Sequence, residues 1–189
     1  MTGEVTVYKV GYVLVGLKTG RKLLHVWVRG NEGCVEFGPF RWSPGVARTR
    51  RGLAVDVAGF LAEDLAAGAG RDRLSRRLAG GYSGPVHPDD RAAVRKAWAI
   101  RTDELLDDYH TDHAFWQQAT HGRHEDILAE VVRAERRAGR ILKRQWVAFL
   151  KLAHALSRRP CGRMSAGQVM RLIGPVLRTG GRRFTPPAG

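Results

Sequence analysis

The stretch that most constrains this chain is residues 125–158. Leu128, Val131, Ala134, Ala138, Ile141, Leu142, Trp146, Phe149, Leu152, Ala153 and Leu156 recur at steps of three and four. That is the period of a helix with one apolar stripe turned to a core. The spacing predicts one long helix, kinked near Gly139, with Pro160 just past its end. A stripe this long needs other helices to cover it. Ser165-Ala-Gly-Gln168 has the form of a capping box ahead of Val169, Met170, Leu172 and Ile173. Leu53, Val57, Phe60, Leu61 and Leu65 share a helical face that Gly68 would stop. Asp89 or Asp90 can cap a helix running to about Asp108, and another is expected from Thr111. Between them, residues 68–88 are rich in Gly and Pro and read as a loop or broken stretch.

Strand signals are confined to the first forty residues. Leu23–Arg29 and Cys34–Phe37, joined by a turn at Asn31-Glu-Gly33, form a predicted hairpin that Gly38-Pro39 ends. Residues 5–17 are ambiguous: the β-branched content favours a strand, whereas the length and the small residues Gly11 and Gly16 suit a buried helix. The expected class is α+β, mostly α-helical, with a small antiparallel hairpin packed on a helical bundle. One domain is expected over residues 1–178, with a loose basic tail at 179–189.

Composition restricts the partners. Hydrophobic residues make up 43% of the chain, enough for a core, yet no run approaches the ~18 apolar residues of a membrane span. Residues 1–15 lack a basic region ahead of an apolar one, so a secreted protein is not expected and a cytoplasmic one is. Two cysteines are too few for a disulfide framework. The formal charge is +14. Residues 133–189 hold fourteen Lys and Arg against one acid, Glu135, while residues 1–132 hold eighteen against seventeen. A field so placed attracts nucleic acid, acidic lipid or an acidic partner, unless it is only a solvated face. Candidate nucleic-acid contacts are Arg41, Trp42, Arg48, Arg50 and Arg51, with Arg140, Lys143, Arg144, Arg158 and Arg159 in the basic helical part.

Three separated segments carry a resemblance. The first is Tyr8-Lys9-Val10-Gly11-Tyr12, followed by an apolar stretch and the hairpin ending in Val35-Glu36-Phe37. The second is Val57-Ala-Gly-Phe-Leu-Ala-Glu63, followed by Gly68. The third is the helical pair Ala134–Ile173. In this order they resemble the peptidase domain of the FtsH-type zinc proteases, in stand-alone form without the ATPase. There the first helix carries HEAGH, the second reads LAGxxAE, and an aspartate supplies the third zinc ligand. The resemblance implies that residues 5–17 are helical, and it places the third ligand at Asp112, in Thr111-Asp-His-Ala.

The departure matters more than the match. Two histidines four apart bind zinc from one helix face, and the glutamate between them acts as general base. Here the positions are Tyr8, Tyr12 and Lys9. A phenol, with an ordinary pKa of about 10, is a poor zinc ligand at neutral pH, and an ammonium repels a dication. The resemblance therefore implies a pseudopeptidase: no hydrolysis, no cofactor, and a surviving cleft. Its edge strand, Cys34-Val35-Glu36-Phe37, could hold a peptide or protein segment by strand addition. A Lys9–Asp112 pair is expected where the metal would have been.

Two other readings compete. One is a basic nucleic-acid-binding accessory protein. The other is a metal-dependent hydrolase built on His110, His113, His121 and His124, whose spacing can bring two imidazoles to one side of a helix.

Overall fold

The computed structural model describes residues 4–39, 46–68, 73–79, 87–102, 124–159 and 162–179. The predicted features at Thr111 and along 180–189 lie outside them, and Thr179, expected to open the loose tail, is helical. The described residues form eight helices and three short strands. In order they are α1 (Glu4–Lys18), β1 (Leu23–Arg29), β2 (Glu32–Phe37), α2 (Val46–Asp56), α3 (Ala58–Ala67), α4 (Leu74–Ala79), α5 (Pro88–Thr102), α6 (His124–Arg144), α7 (Trp146–Ser157), β3 (Met164–Ser165) and α8 (Ala166–Thr179). The class is α+β, mostly α, with a small antiparallel sheet.

Residues 4–18 are helical despite their β-branched content. The helix is central. Val7, Tyr8, Val10, Val13, Leu14 and Val15 are all buried, and α3, α7, β1 and β2 pack around it. A helix apolar on nearly every side belongs in a core, because its backbone hydrogen bonds are internal. Glycines let neighbours approach. A Cβ on Gly11 would sit 2.6 Å from both the Ala58 carbonyl oxygen and the Ala62 Cβ, and one on Gly16 would strike the Phe37 ring. Burial and close packing outweigh local propensity here.

The hairpin turn is tighter than the sequence suggests. Gly30 takes a left-handed φ of 57°, and β2 already starts at Glu32, paired with Arg29. The sheet order is β2-β1-β3, all antiparallel, with β3 contributing Ser165 opposite His25 and Met164 opposite Val26. So, among the described residues, β2 has a strand neighbour on one side only. Gly162, also at positive φ, accepts a hydrogen bond from the Val28 N–H at 3.3 Å and seats the third strand.

The expected helix over Leu53–Leu65 is two helices divided at Val57. Gly68 ends the second in the left-handed region (φ 67°), its N–H bonded to the Asp64 carbonyl. The glycine-rich stretch after it contains a short helix, α4, anchored by buried Leu74 and Leu78. The long helix breaks at Gln145, not at Gly139. Gly139 stays helical, with Leu61 Cδ2 3.6 Å from where its Cβ would be. Beyond the break, Trp146 stacks on Phe149, ring centres 4.6 Å apart, and α7 packs against α1 and α8. The capping box forms as expected: Gln168 N–H donates to Ser165 Oγ at 3.3 Å, and Ser165 N–H to Gln168 Oε1 at 2.9 Å.

Candidate functional site

A cavity of about 470 Å³ opens where α1, α3 and the hairpin meet. Val5, Tyr8 and Lys9 line it from α1, and Phe60 and Glu63 from α3. Trp27, Asn31, Glu32 and Gly33 come from the hairpin, and His87 from the residue before α5. Its size is that of a small-ligand or side-chain pocket. It lies beside the first residues of the open-edged strand β2.

Tyr8 forms part of the inner wall, and Tyr12 lies next to it along α1. One helical turn separates the two tyrosines, which sets their rings side by side, tilted by 34° with centres 5.4 Å apart. Phe60 and His87 meet the Tyr8 ring at 5.0 and 5.9 Å, both edge-on, and Phe60 and His87 meet each other at 5.0 Å. Arg77 covers the Phe60 ring at 4.8 Å. Gly59 makes this packing feasible, because a Cβ there would lie 2.5 Å from Tyr8 Cε2 and 2.6 Å from Cε1.

Both hydroxyls are donors. Tyr8 Oη donates to Asp89 Oδ2 in a short bond, and Tyr12 Oη donates to the Asp56 carbonyl oxygen at 2.9 Å. Burial, reinforced by the Asp89 charge, pushes the Tyr8 phenol well above its ordinary range. Tyr12 is raised too, by burial first and then by Tyr8 and Asp89. Two phenols held protonated offer no anionic oxygen to a metal ion. Asp89 also lies 3.4 Å from His87 Nδ1, so one carboxylate joins Tyr8 to His87. Behind the tyrosines Asp56 pairs with Lys96, and burial outweighs that partner to push its carboxyl up to about 6.

Lys9 is half-buried, its ammonium 5.0 Å from the centre of the Tyr8 ring. That is cation–π range and leaves its donors turned to the cavity region. The expected partner, Asp112, lies outside the described residues, and the carboxylate that faces Tyr8 is Asp89. In the sequence Asp89 carries only the signal of a helix cap. Nothing local reveals that a residue 81 positions away would meet Tyr8. His87, Phe60 and Trp27 were missed for the same reason.

The remaining candidates divide. In the edge strand, Cys34, Val35 and Phe37 are half-buried, and Glu36 is exposed with its carboxylate 3.2 Å from His25 Nδ1. Arg41 and Trp42 lie outside the described residues. Arg50 is a correction as a free cation: its guanidinium grips Glu130 with Nε–Oε2 2.9 Å and Nη2–Oε1 2.7 Å. Arg48 is half-buried and Arg51 exposed. Arg140, Lys143, Arg144, Arg158 and Arg159 are all exposed. His110, His113 and His121 lie outside the described residues, and His124 is the first residue of α6. Among the described residues, no three His, Cys, Asp or Glu side chains gather closely enough to hold a metal ion. Nor is any described helix long and apolar enough to cross a membrane. No family model matches the chain, and no curated protein matches it significantly.

Proposed function

We propose that this chain is a zinc-peptidase-like fold, similar to the FtsH-type peptidase domain, that has lost its metal chemistry and serves to hold extended peptide. The observation that carries the reading is the cavity between the Tyr8–Lys9 turn of α1 and the start of β2. A peptide added to the open edge of β2 would place alternate side chains on opposite faces. One set could enter the cavity beside Lys9, Trp27 and Phe60. Backbone hydrogen bonds would supply affinity, and the pocket would select the side chain. The resemblance puts the third ligand next to the first helix, and in this reading Asp89 takes that place rather than Asp112. The Tyr8 hydroxyl then satisfies the carboxylate that a metal would otherwise neutralise. With phenols at the ligand positions and an ammonium at the base position, the first helix supplies neither the zinc ligands nor the general base that the resemblance would call for.

The test is fluorescence anisotropy with a labelled twelve-residue peptide of alternating valine, threonine and serine carrying no net charge. The expected result is saturable binding that changes little with salt, and an intact peptide after incubation with zinc. Val5→Trp, which fills the cavity, and Asn31→Trp, at its exposed rim, should each weaken binding about tenfold or more, the effect of roughly 1.4 kcal/mol. Absence of binding, affinity indifferent to both substitutions, or zinc-dependent cleavage would each refute the reading.

A further inference from the structure

The basic residues of α6 form a single line. Successive residues turn by about 100° around a helix axis, so Arg133, Arg136, Arg137, Arg140, Lys143 and Arg144 fall within an arc of about 120°. All six are exposed. The opposite side, with Ile127, Val131, Ala134, Ala138 and Leu142, is buried in the core. From Arg133 to Arg144 the line runs about 16 Å at 1.5 Å per residue.

Of the acidic residues on the same helix, Glu130 alone pairs with the line among the described residues, at its first member Arg133. Glu130 and Glu135 are buried. Glu130 is held by Arg50 and Arg133, and Glu135 accepts from the Ser75 backbone N–H at 3.0 Å and from its hydroxyl. Asp126 pairs with Arg101 at the far end of the helix. Arg136, Arg137 and Arg144 make no ion pair among the described residues.

We infer that this face of α6 binds duplex nucleic acid through its phosphates, without reading base sequence. A duplex carries one negative charge per about 1.7 Å of axis, so a 16 Å line meets a dense row of phosphates. Guanidinium groups, five of the six cations, match phosphate oxygens with paired donors. No aromatic residue lies in the line from Arg133 to Arg144. Stacking on unpaired bases is therefore not provided for, which favours a duplex over a single strand. The apolar side of α6 is committed to the core, so the helix cannot sink into a bilayer as interfacial helices do. This surface is separate from the cavity and does not depend on the peptide reading.

The full chain should be titrated against a labelled 20-base-pair DNA of arbitrary sequence, by anisotropy, from 50 to 200 mM salt. About five phosphate contacts give a log–log slope near −4.5, a loss of about 500-fold across that range. Arg137→Gln with Arg144→Gln should flatten the slope by about two and reduce the loss to about 40-fold. Lys22→Gln with Arg29→Gln removes the same charge from the exposed hairpin and should leave the slope unchanged. A second duplex of unrelated sequence should bind equally. The inference is overturned by a slope shallower than about −2, by equal effects of the two double variants, or by tighter binding of the single strand. Equal affinity for phosphatidylglycerol vesicles or polyglutamate at the same salt would overturn it too.

Discussion

Gly59 offers the sharpest test of how the cavity wall is built. In Gly59→Ala the new Cβ would stand 2.5–2.6 Å from two carbons of the Tyr8 ring. Carbon atoms in contact rest about 3.5–4.0 Å apart, so the ring or α3 must yield by roughly 1 Å. The ring has little room to move, because Phe60 and His87 flank it and Asp89 holds its hydroxyl. Overpacking of this kind costs about 1–3 kcal/mol, and the alanine returns up to ~1 kcal/mol of helix propensity. A net loss of about 1–2 kcal/mol is expected in urea unfolding followed by circular dichroism, with an unchanged m value. The decisive comparison is the same substitution in a Tyr8→Leu background. Leucine lacks the carbons that collide, so alanine should there be neutral or stabilising by up to ~1 kcal/mol. Equal destabilisation in both backgrounds would show that Gly59 is not there to seat the phenol.

Three further outcomes follow from named contacts. The triple variant Tyr8→His, Lys9→Glu, Tyr12→His should take up about one zinc per chain by elemental analysis, and adding Asp89→Asn should abolish uptake. A triple variant that stays metal-free would sink the assignment of Asp89. Asp56, with its carboxyl pushed up to about 6 in the fold against an ordinary 3.8, keeps a proton that the unfolded chain has released between those values. Stability relative to Asp56→Asn should therefore fall as pH rises from about 4 to 6, by up to ~3 kcal/mol, and a difference flat in pH would contradict it. Finally, Arg50→Ala should cost about 2 kcal/mol in thermal or urea unfolding, since it strips two hydrogen bonds from a carboxylate 2% exposed while Arg133 remains. Arg50→Lys should recover only part of that, because an ammonium cannot match both oxygens. Full recovery would argue that charge alone matters.

Because those signals are local, the helices announced by periodicity or capping cover, within the described residues, 53–65, 89–102, 125–157 and 166–173, although the first and third are each divided in two. The Ser165–Gln168 box and the left-handed Gly68 are read from a few adjacent residues and formed as expected. Signals that depend on partners were less legible. Nothing near residue 145 marks the break between α6 and α7. It follows from where Trp146 and Phe149 find their neighbours. β3 is two residues long and exists only because β1 offers an edge. Residues 5–17 carried contradictory local cues, and their burial among four elements decides for helix. The site divided likewise: Tyr8 and Lys9 stand out only through the resemblance of their segment to the HEAGH helix, whereas Asp89 and His87 join them only through the path of the chain.

The pairing of Val26 with Met164 also has a consequence for how the molecule is made. Lys18 Nζ donates to the Leu177 carbonyl oxygen at 2.9 Å, so β1 and the first helix are both tied to residues about 140–160 positions later. Couplings so distant along the chain close late. During synthesis the hairpin emerges with both edges bare, and the β1 edge waits, unsheltered, until β3 and the helix after it leave the ribosome. In that interval the nascent chain is most open to chaperones and most at risk of joining another copy of itself.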